Sequence, residues 1–188
     1  MFLIRPLIFH DVDVGGARPI KQHPYRVNPM KLKLIQKEVK YMLEHNIIER
    51  SQSNWASPCV LVPKPDGSMR FCTDYRKVNA VTKTDSYPLP RIDDCIDRLG
   101  KAKFITKCDL LKGYWGVPLT GKAKDISAFV TPEALYQYRV MPYGMKNSQA
   151  TFQRLINTCL GDLSNVDAYV DDIVVYAELG KIIHYVAT

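Results

Sequence analysis

Ala168-Tyr169-Val170-Asp171-Asp172-Ile173-Val174-Val175-Tyr176 sets two adjacent carboxylates inside a run of β-branched and aromatic residues. Apolar sequence on both sides of such a pair reads as strand, tight turn, strand. Carboxylates at a turn between buried strands are costly unless hydrated, paired or bound to a cation. A divalent ion satisfies them most simply, and Mg²⁺ takes one or two carboxylates together with substrate phosphates. An acidic hairpin tip fits the same residues, because Asp is common in turns. On this stretch alone both readings stand.

A third carboxylate, Asp109, ends the segment Lys103-Phe104-Ile105-Thr106-Lys107-Cys108-Asp109, and Gly113, Tyr114 and Trp115 follow it. This reads as a second strand running into a turn. The sequence between Asp109 and Asp171 is long enough for the chain to cross over and return to the same sheet. Carboxylates meeting at one end of a sheet are what two-metal phosphoryl chemistry needs. One ion activates the attacking oxygen and the other stabilises the leaving one, about 3.5–4 Å apart. Asp109 also suits the N-cap of the turn after it.

The 188 residues suffice for one core, or for two small subdomains sharing one. The net charge of +7 is uneven: residues 162–188 hold Asp162, Asp167, Asp171, Asp172 and Glu178 against Lys181 alone, so the rest of the chain is strongly basic. A basic body with an acidic end suits a phosphate-binding surface facing a metal site. Five cysteines (59, 72, 95, 108 and 159) are odd in number and show no close pairing. Their apolar neighbours suggest buried thiols in a reducing compartment, hence an intracellular, non-secreted protein. The four histidines lack zinc-ligand spacing. The apolar start Met1–Phe9 is short and broken by Arg5-Pro6, so neither a signal peptide nor a membrane span is expected.

Residues 1–29 read as an extended lead-in. Leu32, Ile35, Val39, Met42 and Leu43 recur at helical spacing, opposite Lys31, Lys33, Lys37 and Lys40. Cys59–Val62 and Met69–Cys72 flank Pro65-Asp66-Gly67, a hairpin signal. Tyr87–Pro90 reads as an extended link, and Ile92, Cys95, Ile96 and Leu99 mark a short helix ending before Gly100. Strands are expected over 126–131 and 136–141. A helix with the stripe Phe152, Leu155, Ile156, Cys159 and Leu160 starts at Ser148, its N-cap, and closes at Gly161. Strands mixed with helices in this order indicate an α+β fold, its sheet backed by helices.

Several ordered blocks together resemble the fingers and palm of a reverse transcriptase, most closely those of gypsy-type LTR retrotransposons. They are Gln22–Arg26, Ile47–Pro58, Lys64–Asn79, Tyr87–Arg91, Asp109–Trp115, Ser127–Pro132, Met141–Asn147 and Tyr169–Asp172. The implied fold is an α+β fingers–palm fragment of a right-hand polymerase, with an antiparallel palm sheet backed by helices and no thumb. Residues 30–177 would form it, with fingers at about 30–90 and 120–145 and palm at about 91–119 and 146–177.

The resemblance implies RNA-directed DNA polymerase activity, transferring dNMP from a dNTP to a primer 3′-hydroxyl on an RNA or DNA template. Asp109, Asp171 and Asp172 would be catalytic and would hold two Mg²⁺ ions (Mn²⁺ as a substitute), with the Leu110 carbonyl as a further ligand. Lys64, Arg70, Lys112, Gly113, Tyr114, Tyr143 and Gly144 would bind the nucleotide. Among these, Lys64 and Arg70 would hold the triphosphate, and Tyr114 would screen the sugar for a 2′-hydroxyl. Tyr169 and Val170 would lie beside the primer terminus. Asp74 and Arg76 would form an internal pair. Primer–template and dNTP are the implied partners.

Several residues depart from the family pattern. Gly116 stands for a usual Gln, Ile126 for Lys, Ala134 for Gly and Gln149 for Pro, and residues 178–188 diverge. The thumb, connection and ribonuclease H regions of the family are absent from these residues. A rival reading is therefore a catalytically inactive retrotransposon-derived relic that binds nucleic acid or a partner protein. A chain without a thumb is expected to bind primer–template weakly and with steep salt dependence.

Overall fold

The computed structural model describes residues 7–100, 102–110, 112–161 and 163–177. The divergent tail, including Ile182, Ile183 and Val186, lies outside them. The chain divides into two compact units: Met1–Thr84 with Tyr114–Ser148, and Asp85–Gly113 with Gln149–Thr188.

In the first unit, helix α1 (Pro29–Glu44) opens on Asn28, whose side chain accepts from the Lys31 N–H, with Pro29 preorganised at the first helical position. Ile35, Val39 and Met42 are its buried face. Strands β1 (Ile48–Arg50), β2 (Ser57–Pro63) and β3 (Met69–Thr73) follow, then helix α2 (Arg76–Val81). The β2–β3 hairpin turns at Gly67, where φ is +79°, and the Asp66 side chain accepts from Ser68 N–H.

Residues 114–148 return to this unit with helix α4 (Gly121–Ile126) and strands β5 (Phe129–Val130) and β6 (Leu135–Tyr138), after helix α3 (Ile92–Leu99) and strand β4 (Phe104–Asp109) of the second unit. The sheet order is β1-β6-β5-β2-β3, antiparallel except for β2 beside β5. Phe129 is its fully buried centre, in contact with Phe71, Tyr136 and Tyr138. The expected strand over 126–131 is therefore shorter. Thr120 caps α4 by accepting from Ala123 N–H, and this local cap carries the chain through Ile126 as helix before β5 starts. Residues 7–28 of the lead-in are mostly extended but not loose: His10 and Val12 are fully buried, and bridges pair His10 with Leu119 and Lys21 with Ala56. Asp74 and Arg76 form a close ion pair, and Tyr25 donates to the same carboxylate. The Arg76 guanidinium holds the Asp74 carboxyl well below its usual range.

The second unit contains α3 (Ile92–Leu99), β4 (Phe104–Asp109), helix α5 (Ser148–Leu160, its first residue in the other unit), β7 (Val166–Tyr169) and β8 (Asp172–Ala177). Its sheet runs β4-β8-β7, antiparallel throughout. The extended Tyr87–Pro90 link is tied to α5: Asn157 donates to the Tyr87 hydroxyl, and Arg154 stacks on the Tyr87 ring while bonding Asp85. Ser148 starts α5, as expected, and its hydroxyl donates to Pro142 O. The expected apolar stripe changes. The buried arc is Ala150, Thr151, Phe152, Gln153 and Ile156, while Cys159 is exposed.

All five cysteines are free, and only Cys59 is buried, because Cys108 lies on the edge strand β4 and Cys159 on the outer side of α5. Burial pushes the Cys59 thiol up to about 11. At pH 8, iodoacetamide should modify Cys108 and Cys159 first and spare Cys59, since the thiolate is the nucleophile. Early labelling of Cys59 in a mass-spectrometric time course would contradict this burial.

Candidate active site

The antiparallel register sets two of the three carboxylate residues opposite each other. Asp109, the last residue of β4, faces Asp172, the first of β8, and the Leu110 N–H donates to the Asp171 carbonyl at 2.9 Å. Like charges directly opposite on a sheet are destabilising, so this pairing calls for a cation. One is supplied from within: Lys107 Nζ lies 3.0 Å from Asp172 Oδ1. Asp172 foremost, then Asp109 and Asp171, hold the Lys107 ammonium above its ordinary range.

A two-residue loop, Val170-Asp171, joins β7 to β8, with Tyr169 paired to Asp172. Val170 has φ +55° and is buried. A β-branched residue in the left-handed region carries strain of about 1–3 kcal/mol and persists only where its surroundings hold it. Gln153 on α5 does so. Its Oε1 accepts from the Val170 N–H at 2.7 Å, and its Nε2 donates to Ala168 O at 3.0 Å and Asn157 Oδ1 at 2.8 Å. The residue is fully buried. Tyr169 is partly exposed on the same sheet face as Asp172 and Asp109, because alternate residues share a face and these three are in register. The Leu110 carbonyl, which has two lone pairs, accepts from Gly113 N–H. Lys112 adopts φ +58° in the turn. A Cβ on Gly113 would come within 2.7 Å of the Phe152 ring, so glycine is required there for packing.

Among the described residues no three His, Cys, Asp or Glu side chains are placed to cage one ion. Magnesium does not need a cage. It retains several waters and takes one or two carboxylates with substrate phosphates. The donors here are hard oxygens, and an ammonium already docks on one of them, so the carboxylate pair fits such an ion.

The first unit holds the other sequence-derived residues. Tyr114 and Tyr143 stack with centroids 4.8 Å apart, and the Arg70 guanidinium lies 5.6 Å from the Tyr143 centroid. Tyr114 is buried. Gly144 has φ +85°, which favours glycine. Lys64 starts the β2–β3 turn, its backbone N–H donating to Ser68 O. Two supporting residues escape a reading by motif: Gln153, and Asn79, which donates to Gly144 O and accepts from Lys146 N–H. Their signal is a polar side chain in an apolar neighbourhood, Gln153 beside Phe152 and Asn79 beside Val78.

Residues 62–185 match the family model for reverse transcriptase (RNA-dependent DNA polymerase). The chain belongs to the reverse transcriptase family. It is 37% identical over 177 residues to the retrovirus-related Pol polyprotein from transposon 297 of Drosophila melanogaster, covering 90% of this chain and 17% of that protein. It is 33% identical to the transposon Tf2-3 polyprotein of Schizosaccharomyces pombe, covering 85% and 12% respectively. This reverse transcriptase chain thus spans less than a fifth of these relatives. Its fold resembles that of the foamy viral protease-reverse transcriptase solved with double-stranded DNA: TM-score 0.84, 27% identity, 93% of this chain and 31% of that one. The same enzyme solved with an RNA/DNA hybrid gives a TM-score of 0.80 at 26% identity, covering 93% and 24%. The expected α+β fingers–palm fold, with an antiparallel palm sheet, is therefore the observed one. Among the described residues no helix is long and apolar enough to cross a membrane.

Proposed function

We propose that this chain is a metal-dependent RNA-directed DNA polymerase domain, adding dNMP from a dNTP to a primer 3′-hydroxyl on an RNA or DNA template. The observation that carries this reading is the in-register Asp109–Asp172 pair with Asp171 beside it on a strained, buttressed turn. Asp109, Asp171 and Asp172, with the Leu110 carbonyl, would hold Mg²⁺ or Mn²⁺. Such ions would lower the pKa of the attacking hydroxyl and neutralise charge on the transferring phosphoryl group. The protein's own part is mostly positioning. The Arg70 guanidinium offers a planar fork for phosphate oxygens and Lys64 a mobile point charge. Lys112 and Gly113, a few residues after Asp109, and Gly144, next to Tyr143, would complete the nucleotide contacts. Tyr169 and Val170 would support the primer terminus. Complexes of the foamy viral relatives with DNA and with an RNA/DNA hybrid support nucleic acid as the partner.

The test is single-nucleotide primer extension on a primed RNA template. Mg²⁺-dependent extension, abolished by EDTA, is expected. Template binding with no incorporation in either Mg²⁺ or Mn²⁺ would favour an inactive relic.

In this reading the stacked Tyr114 ring excludes a ribose 2′-hydroxyl. Tyr114→Ala should raise ribonucleotide relative to deoxyribonucleotide incorporation by about 10-fold or more, since a steric block gives way to open space. An unchanged ratio would leave Tyr114 a core residue.

A further inference from the structure

We propose that Lys107 is a tethered counter-cation of the carboxylate cluster, occupying Asp172 until a divalent ion displaces it. The inference rests on the metal-ligand reading above and concerns a residue outside that ligand set. Lys107 stands two positions before Asp109 on β4, so both side chains leave the same face of the sheet. Val174 lies opposite Lys107, which puts Asp172 on the diagonal within reach of a long side chain. The contact is made at 3.0 Å between two solvent-accessible groups, with side chains 63% and 43% exposed. It is therefore reversible, unlike a buried pair, which is strongly destabilised when broken.

Three carboxylates on one short hairpin and its neighbouring strand repel one another when no ion is bound, and the ammonium offsets that repulsion. The same charge opposes ion entry. A divalent ion that engages Asp172 must take an oxygen from Lys107 or accept a positive neighbour. The ammonium should thus weaken the free protein's hold on its ion, and this penalty is largest at low ionic strength, where the repulsion is least screened. Phosphate groups arriving with a nucleotide would give the displaced ammonium a new anionic partner, coupling metal entry to nucleotide arrival.

The experiment is Mn²⁺ titration of the nucleotide-free protein, read as loss of the free-ion electron paramagnetic resonance signal. The wild type is compared with Lys107→Met, Lys107→Arg and Asp109→Asn, and circular dichroism confirms the fold of each. Lys107→Met should bind Mn²⁺ about tenfold more tightly than wild type at low salt, with the gain shrinking as salt rises. Lys107→Arg should match wild type because it keeps the charge. If Lys107→Met lies within twofold of wild type while Asp109→Asn loses binding, the counter-cation role is overturned and the ligand reading survives. If Asp109→Asn binds as wild type does, or if wild type and Lys107→Met both fail to bind at millimolar Mn²⁺, the ligand reading falls and the counter-cation role with it.

Discussion

Asp109→Asn should reduce the rate of single-nucleotide incorporation by on the order of 10³-fold, the scale on which removing a charge-stabilising group from a reacting centre acts. The substitution keeps the shape and removes the charge. Asp109 sits at a strand end, exposed, opposite Asp172, so the variant should fold normally and even lose a like-charge repulsion across the sheet. The result to look for is a collapse of turnover with an unchanged or slightly raised melting midpoint. Stability and activity would then move in opposite directions, which a structural role for Asp109 would not produce. Incorporation within tenfold of wild type would remove Asp109 from the chemistry.

Gln153→Leu should do the reverse, acting first on stability. The leucine fills the same buried space but leaves the Val170 N–H and the Ala168 carbonyl without the partners Gln153 gives them. Each orphaned group costs about 1–3 kcal/mol. The expected loss of about 2–4 kcal/mol corresponds to a fall of roughly 5–10 °C in melting midpoint for a chain of this size. Activity should fall as well, because nothing then holds Val170 at positive φ and the turn carrying Asp171 can relax. A melting midpoint within 1–2 °C of wild type, measured by differential scanning calorimetry, would show that the turn holds itself.

The two segments that decide the fold are legible from local pattern alone. Tyr169–Tyr176 and Phe104–Asp109 are apolar strands interrupted or ended by carboxylates, and they fold as read. The β2–β3 hairpin is equally legible because Pro65-Asp66-Gly67 specifies its turn by backbone chemistry. Helix α4 is not, since its six residues lack an apolar stripe and only the Thr120 cap marks them. The buried arc of α5 is misread for a related reason. Gln153 looks polar and therefore outward, yet it faces inward because the hairpin backbone needs a donor and an acceptor there. The cysteines mislead in the opposite direction. Apolar neighbours in sequence do not imply burial on an edge strand, and Cys108 is exposed. At the site, the residue types of the carboxylates can be read from sequence. The Asp109–Asp172 register, the Lys107 contact and the strain at Val170 cannot, because each depends on which strands pair.

In the proposed function, Asp109 and Asp171-Asp172 hold divalent ions at one end of the β4-β8-β7 sheet. Iron-mediated cleavage tests this most directly. Fe²⁺ bound in place of Mg²⁺, with ascorbate and peroxide, cuts the backbone next to wherever it sits. Cuts are expected near residues 108–110 and 170–172, suppressed by excess Mg²⁺ and absent in Asp109→Asn. Cleavage elsewhere, or cuts at these positions that neither Mg²⁺ nor the substitution removes, would contradict it.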